Sequence, residues 1–201
     1  MKDRFHIIVE GVADKVFIEQ YFCHVFGQAA PDGCIVKTNG KDNLQAMANQ
    51  MREISANDGI NLVIFDADQD VEKIRDELLL WRKNENLDFE LFLIPNDKDA
   101  GALEDLLEKI INPNNRPIME CWDKYEKELV KLDIPDRTPP PLTTPAKKTK
   151  IYGYLEALLG ESQSQKEQIK EKYRKYYNPL HWNLKNEYLE PLRNFLVRFL
   201  K

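Results

Sequence analysis

Leu62-Val63-Ile64-Phe65-Asp66-Ala67-Asp68-Gln69-Asp70 is an apolar run that stops abruptly at three aspartates spaced two apart. A strand buried on both faces reads as a continuous apolar run, so the stretch predicts a central parallel strand with acids at its carboxyl end. In a parallel α/β sheet that end lines the ligand crevice, and carboxylates gathered there repel one another unless a cation neutralises them. The stretch therefore points to a divalent-metal site. Asp-x-Asp-x-Asp is also a polar turn that can cap the next helix, and Asp70 fits that helix-start role better than a ligand role.

On the amino-terminal side, Phe5 to Val9 is a short apolar run closed by Glu10-Gly11. Val16, Phe17, Tyr21, Phe22 and Val25 then recur at helical spacing as far as Phe26. Cys34-Ile35-Val36 predicts a second strand, closed by Thr38-Asn39-Gly40, and Leu44, Met47, Ala48, Met51 and Ile54 mark a second helix. On the carboxyl side, Val71, Ile74, Leu78 and Trp81 give a third helix, and Phe89 to Ile94 gives a fourth strand ended by Pro95. Four strands alternating with helices predict an α/β fold with a mostly parallel, Rossmann-like sheet flanked by helices.

Past Pro113 the pattern is helical. Ile118 to Leu132, Ala146 to Leu159, Gln163 to Tyr177 and Leu189 to Leu200 each predict a helix, and the five prolines between Pro135 and Pro145 predict an extended loop. The expected organisation is an α/β domain over 1–111 and a helical carboxy-terminal region over 112–201, packed on the first.

Composition narrows the function classes. A chain of 201 residues with 42% hydrophobic and 31% charged content is that of a globular protein, and no apolar segment approaches the length of a membrane span. A cytoplasmic, non-membrane protein is expected. Cys23, Cys34 and Cys121 lack metal-ligand spacing and predict reduced residues in or near the core. Residues 1–111 carry 12 basic against 22 acidic side chains and residues 112–201 carry 17 against 12, an acidic part suited to cations and a basic part suited to phosphates.

Because parallel strands point their carboxyl ends the same way, acids distant in sequence converge there. These are Glu10 after the first strand, Asp66 and Asp68 after the third, and Glu104-Asp105 shortly after the fourth. Oxygen ligands without nearby Cys or His favour Mg2+ or Mn2+.

Val9-Glu10-Gly11-Val12-Ala13-Asp14, followed by Asp66-Ala67-Asp68, resembles the TOPRIM fold of topoisomerases, bacterial primases and recombination-associated nucleases. Gly101-Ala102-Leu103-Glu104-Asp105-Leu106-Leu107 is most similar to the branch named for overcoming lysogenization defect (OLD) and to stand-alone TOPRIM relatives. The resemblance covers roughly residues 5–111, with a weaker likeness in 148–155 and 191–196.

It implies metal-dependent cleavage of DNA or RNA, with a role in defence against phage or mobile elements. Asp66 and Asp68 would bind one metal, with Glu10 a ligand or the general acid or base. Asp14 would join a second metal site with Glu104 or Asp105. Lys148, or else Lys150, would neutralise charge developing on the phosphate. Lys170 and Arg174, with Lys166, Lys175 and the tyrosines Tyr173, Tyr176 and Tyr177, would grip nucleic acid or else form a solvated helix face. The chain has no phosphate-binding Gly-x-x-x-x-Gly-Lys motif, so an ATPase would be a separately encoded partner. The alternative class is a non-catalytic metal- or nucleotide-binding module that regulates a partner protein.

Overall fold

The computed structural model describes residues 4–135 and 142–201. The predicted loop 135–145 therefore falls largely, over 136–141, outside the described residues.

Strands β1 (Phe5–Val9), β2 (Ile35–Lys37), β3 (Ile60–Asp66) and β4 (Glu90–Ile94) form a parallel sheet in the order β2-β1-β3-β4. Ile7 lies between Ile35 and Leu62, and Asp66 is level with Ile94. All of β1 and the five central residues of β3 are buried, which is why both read as unbroken apolar runs.

Successive side chains go to opposite faces of the sheet. Phe5, Ile7, Val9, Leu62 and Ile64 pack in one layer with α1 (Val12–Phe26) and α4 (Leu103–Lys109). Ile8, Val63 and Phe65 pack in the other with α2 (Ala48–Ala56) and α3 (Val71–Asn84). The expected α/β architecture is the observed one.

The first layer continues through α5 (Arg116–Leu129), α6 (Lys147–Leu159) and α8 (Glu190–Leu200), with the short α7 (Gln163–Glu167) contributing no buried residue. Met119, Tyr154, Trp182, Leu192 and Leu196 belong to the same hydrophobic cluster as Phe17 and Leu106, so a single core runs across the boundary at residue 111. Helices α5 and α6 meet at Gly153, where a Cβ would overlap the ring of Trp122.

Three expectations need correction. The second strand is Ile35–Lys37, one residue later than its apolar run. The helix predicted over Gln163–Tyr177 does not form. Helix α7 ends at Glu167, a single 3₁₀ turn covers Glu171–Tyr173, and Lys170 and Arg174 are extended. The backbone N–H groups of Tyr176 and Tyr177 donate to Gln20 Oε1 on α1 (2.6 and 3.1 Å), and Arg174 and Tyr176 enter the core, so tertiary partners replace helical ones. Finally, Cys23 and Cys121 are exposed rather than core residues; all three cysteines are free.

Candidate metal centre

The carboxyl edge of the sheet is where the acids meet. Glu10 follows β1 directly and Asp66 ends β3. The turn beyond Asp66 is stitched to the start of α4. Ala67 N–H donates to Ile94 O (2.9 Å), Leu103 N–H donates to Asp66 Oδ1 (3.1 Å), and Asp68 bridges to Gly101. These links bring the end of the third strand and the helix after the fourth to one place, although 37 residues separate Asp66 from Leu103. Asp68 takes a left-handed backbone (φ 52°), a conformation that Asp and Asn tolerate better than most residues.

Two clefts share this edge. A small one of about 270 Å³ is lined by Glu10, Asp14, Asn39, Asp66, Glu104, Lys148 and Glu171. A larger one of about 850 Å³ is lined by Asp68, Lys73, Gly101, Glu104, Asp105, Lys147 and Lys148. Glu104 and Lys148 stand on the wall between them.

Electrostatics single out Asp66. Its carboxyl is pushed up to about 8, first by burial and then by the charges of Asp14, Glu10, Glu104 and Asp68. Asp14, only 7% exposed, is also raised, mainly by burial and partly by Glu104 and Glu171, although the Gly11 hydrogen bond opposes the shift. The side chains are thus near neighbours in a poorly solvated space with too much negative charge.

Among the described residues no three such groups already stand as a metal-binding set. Backbone donors engage one oxygen of each of three of these acids: Asp14 Oδ2 accepts the Gly11 N–H (2.8 Å), Asp66 Oδ1 the Leu103 N–H (3.1 Å) and Asp105 Oδ2 the Ala102 N–H (2.8 Å). The donors are all oxygen, which suits a small hard cation such as Mg2+ or Mn2+.

The structure separates residues that sequence left equivalent. Asp14 and Asp105 occupy matching positions, each at the third residue of a helix whose cap has nearly the same backbone angles. Asp105 is also ion-paired with Lys147, so Glu104 is the freer candidate ligand of the two. Gly101, at φ 144°, permits this turn; a Cβ there would press within 2.7 Å of Asp105 Oδ2. Asp70 caps α3 by accepting the Lys73 N–H (3.1 Å), as its sequence position predicts.

The lysines separate too. Lys148 reaches the clefts and is ion-paired with Glu171; that hydrogen bond, with the nearby charge of Glu104, raises its pKa against the opposing effect of burial. Lys150 is 7% exposed and clasped by Asp123 (2.7 Å) and Glu108 (3.0 Å), away from the clefts. Burial disfavours its ammonium, but these hydrogen bonds prevail and its pKa is raised. Lys150→Met is expected to lower stability by about 1–3 kcal/mol, because Glu108, Asp123 and Glu126 would face one another without it. A urea unfolding midpoint that did not move would contradict this.

The expected nucleic-acid contacts fare differently. Arg174 is 2% exposed, its guanidinium lying over Tyr152 and Tyr176, so it is not available to a phosphate backbone, nor is Lys150. Lys170 is exposed and paired with Glu167. Glu171, which sequence reading missed, lines the small cleft; one of two acids in a predicted basic helix, it carried no signal.

The comparisons with known proteins bear on the whole unit. A family model described as protein of unknown function, DUF3226, matches residues 4–201. The chain is a member of the DUF3226 family. No curated protein and no solved structure matches it. The DUF3226 match spans the sheet and the helical part together, in keeping with their common core. Among the described residues of this DUF3226 member, no helix is long and apolar enough to cross a membrane.

Proposed function

We propose that this DUF3226 protein is a TOPRIM-type, Mg2+- or Mn2+-dependent phosphodiester hydrolase acting on DNA or RNA. One observation carries the reading. Burial first, and then the charges of carboxylates from three separate segments at one sheet edge, hold Asp66 at about 8, a state that a divalent cation would relieve. Asp66 and Asp68 would hold one ion, Glu104 with the second oxygen of Asp14 would hold another, and Glu10 beside them would act as general base. Bound cations would acidify a water and neutralise charge on the phosphate. Glu10 would accept the proton of that water as its oxygen bonds to phosphorus and the bond to the sugar oxygen breaks, the departing oxygen taking a proton from solvent. Lys148 would donate to a non-bridging oxygen.

The test is cleavage of supercoiled plasmid, single-stranded DNA and RNA with each cation, wild type beside Asp68→Asn. Asn keeps the tolerance for a left-handed backbone and removes only the charge. Metal-dependent cutting reduced on the order of 100-fold or more by Asp68→Asn is expected. Undiminished cutting by the variant, or none by the folded, cation-binding wild type, would sink the proposal.

A second reading is a non-catalytic module that regulates a partner protein. It is favoured by an open groove of about 520 Å³ on α5 and α6, lined by Ile118, Trp122, Tyr125 and Ala157 and almost wholly apolar.

A further inference from the structure

Lys148 stands in the first turn of α6 and Glu171 in the 3₁₀ turn that follows α7, 23 residues later. Two rungs connect these segments. The upper rung is the Lys148–Glu171 ion pair. One turn below, the Arg174 guanidinium lies 5.2 Å from the ring centre of Tyr152 and donates to Ile169 O (3.0 Å).

The lower rung is anchored to α1. Gln20 Nε2 donates to Arg174 O (2.8 Å), while Gln20 Oε1 accepts the N–H groups of Tyr176 and Tyr177. The backbone that carries Glu171 is therefore fixed by buried contacts on its carboxyl side. Glu171 itself is 20% exposed and its lysine partner 56%, so a sheltered acid holds a more solvated amine.

The location gives the pair its meaning. Lys148 lines both clefts and Glu171 the smaller. The other cleft lysine on this helix, Lys147, is drawn to Asp105 on α4, and Lys150 is held by Glu108 and Asp123. A lysine side chain otherwise samples many rotamers, and restricting them lowers the entropy lost when it meets a ligand.

We propose that Glu171 is a positioning residue that holds the Lys148 ammonium on the wall between the two clefts, where it receives a phosphoryl oxygen bound beside Glu104 and Asp66. The inference rests on the phosphodiester reading above and adds a residue to it. Glu171 acts through Lys148 and need not touch the substrate.

The experiment measures Lys148 directly. Wild type, Glu171→Gln, Glu171→Asp and the control Glu167→Gln are briefly treated with an amine-acylating reagent, with and without Mn2+ plus inorganic phosphate. Labelling at Lys148 is read by peptide mass spectrometry. In wild type, Mn2+ with phosphate is expected to slow Lys148 labelling by about threefold or more, as a bound anion engages the ammonium.

In Glu171→Gln, basal labelling is expected to rise about threefold, since the ammonium loses its charged partner. Phosphate protection is expected to vanish. Glu171→Asp restores part of the protection, and it reads the same quantities should Glu171→Gln fail to fold. Glu167→Gln, which alters only the exposed Lys170 pair, behaves as wild type. In cleavage assays Glu171→Gln is expected to lose about tenfold in kcat with KM changed less than about twofold.

Protection decides the matter. Equal protection in wild type and Glu171→Gln, or none in wild type, overturns the proposal. Glu171-dependent protection in a protein that cuts no substrate upholds it and removes the hydrolase reading. Cutting by a wild type whose protection ignores Glu171 does the reverse.

Discussion

Asp66→Asn is expected to make the cation-free protein more stable than wild type near pH 8, by on the order of 3 kcal/mol, while abolishing divalent-cation stabilisation and cleavage. Burial and four neighbouring carboxylates hold the Asp66 carboxyl at about 8, against an ordinary value of 3.8. Between those values the folded state keeps a proton that the unfolded state has released. The stability that this carboxyl contributes is therefore fully present below its ordinary value of 3.8 and declines as pH rises toward 8, the opposite of a salt-bridged aspartate.

Asn carries no charge at any of these pH values, and its side-chain oxygen can still accept the Leu103 N–H that Asp66 accepts at 3.1 Å. Thermal midpoints of both proteins between about pH 5 and pH 9, with and without Mg2+ or Mn2+, read the effect. Wild type is expected to gain stability from the cation at the alkaline end, where its carboxylate is available as a ligand, and Asp66→Asn to gain little. A variant less stable than wild type near pH 8 without cation would contradict the crowding on which the proposed function rests.

Trp182→Ala is the substitution expected to cost most in stability, about 3–5 kcal/mol. Trp182 is 2% exposed, with its ring 5.4 Å from Tyr154 on α6 and 5.6 Å from Tyr176. Tyr176 in turn meets Phe17 of α1 edge-on at 5.2 Å. Trp182 also bridges to Ile111, and Asn183 N–H donates to Ile110 O (2.6 Å) just past α4. These contacts join the helical part to the layer over the sheet, so the damage is expected at the seam that carries Lys148 and Glu171 to the acids.

The indole N–H of Trp182 has no acceptor among the described residues, and the loss is therefore of packing rather than of a hydrogen bond. Trp182→Phe should accordingly recover most of the stability. Wild type is expected to unfold in a single denaturant transition because one core serves both parts. A separate unfolding step for residues 112–201 in wild type would refute this view of the seam.

Much of the frame was legible in the chain. The runs Phe5–Val9 and Leu62–Phe65 announce buried strands because a parallel sheet covered on both faces requires apolar side chains in both directions. The convergence of Glu10, Asp66 and Asp68 follows from the shared direction of the strands alone.

Local pattern failed where a distant group competed for the backbone. Gln163 to Tyr177 has the composition of a charged helix, yet Gln20, more than 150 residues away, takes the N–H groups that a helix would have used. The same segment turns Arg174 from an expected surface cation into a buried one.

What the sequence by itself determined is the alternation of strand and helix and the delivery of acids to one sheet edge, since both depend on residue periodicity and chain direction. Only the tertiary structure decided how those acids differ and which lysine reaches them. Asp14 and Asp105 turn back to cap helices, Glu104 stands between the clefts, Lys150 is buried and Lys148 meets Glu171. Charge alone makes these side chains equivalent; the backbone donors and counter-charges that each one finds on folding make them distinct.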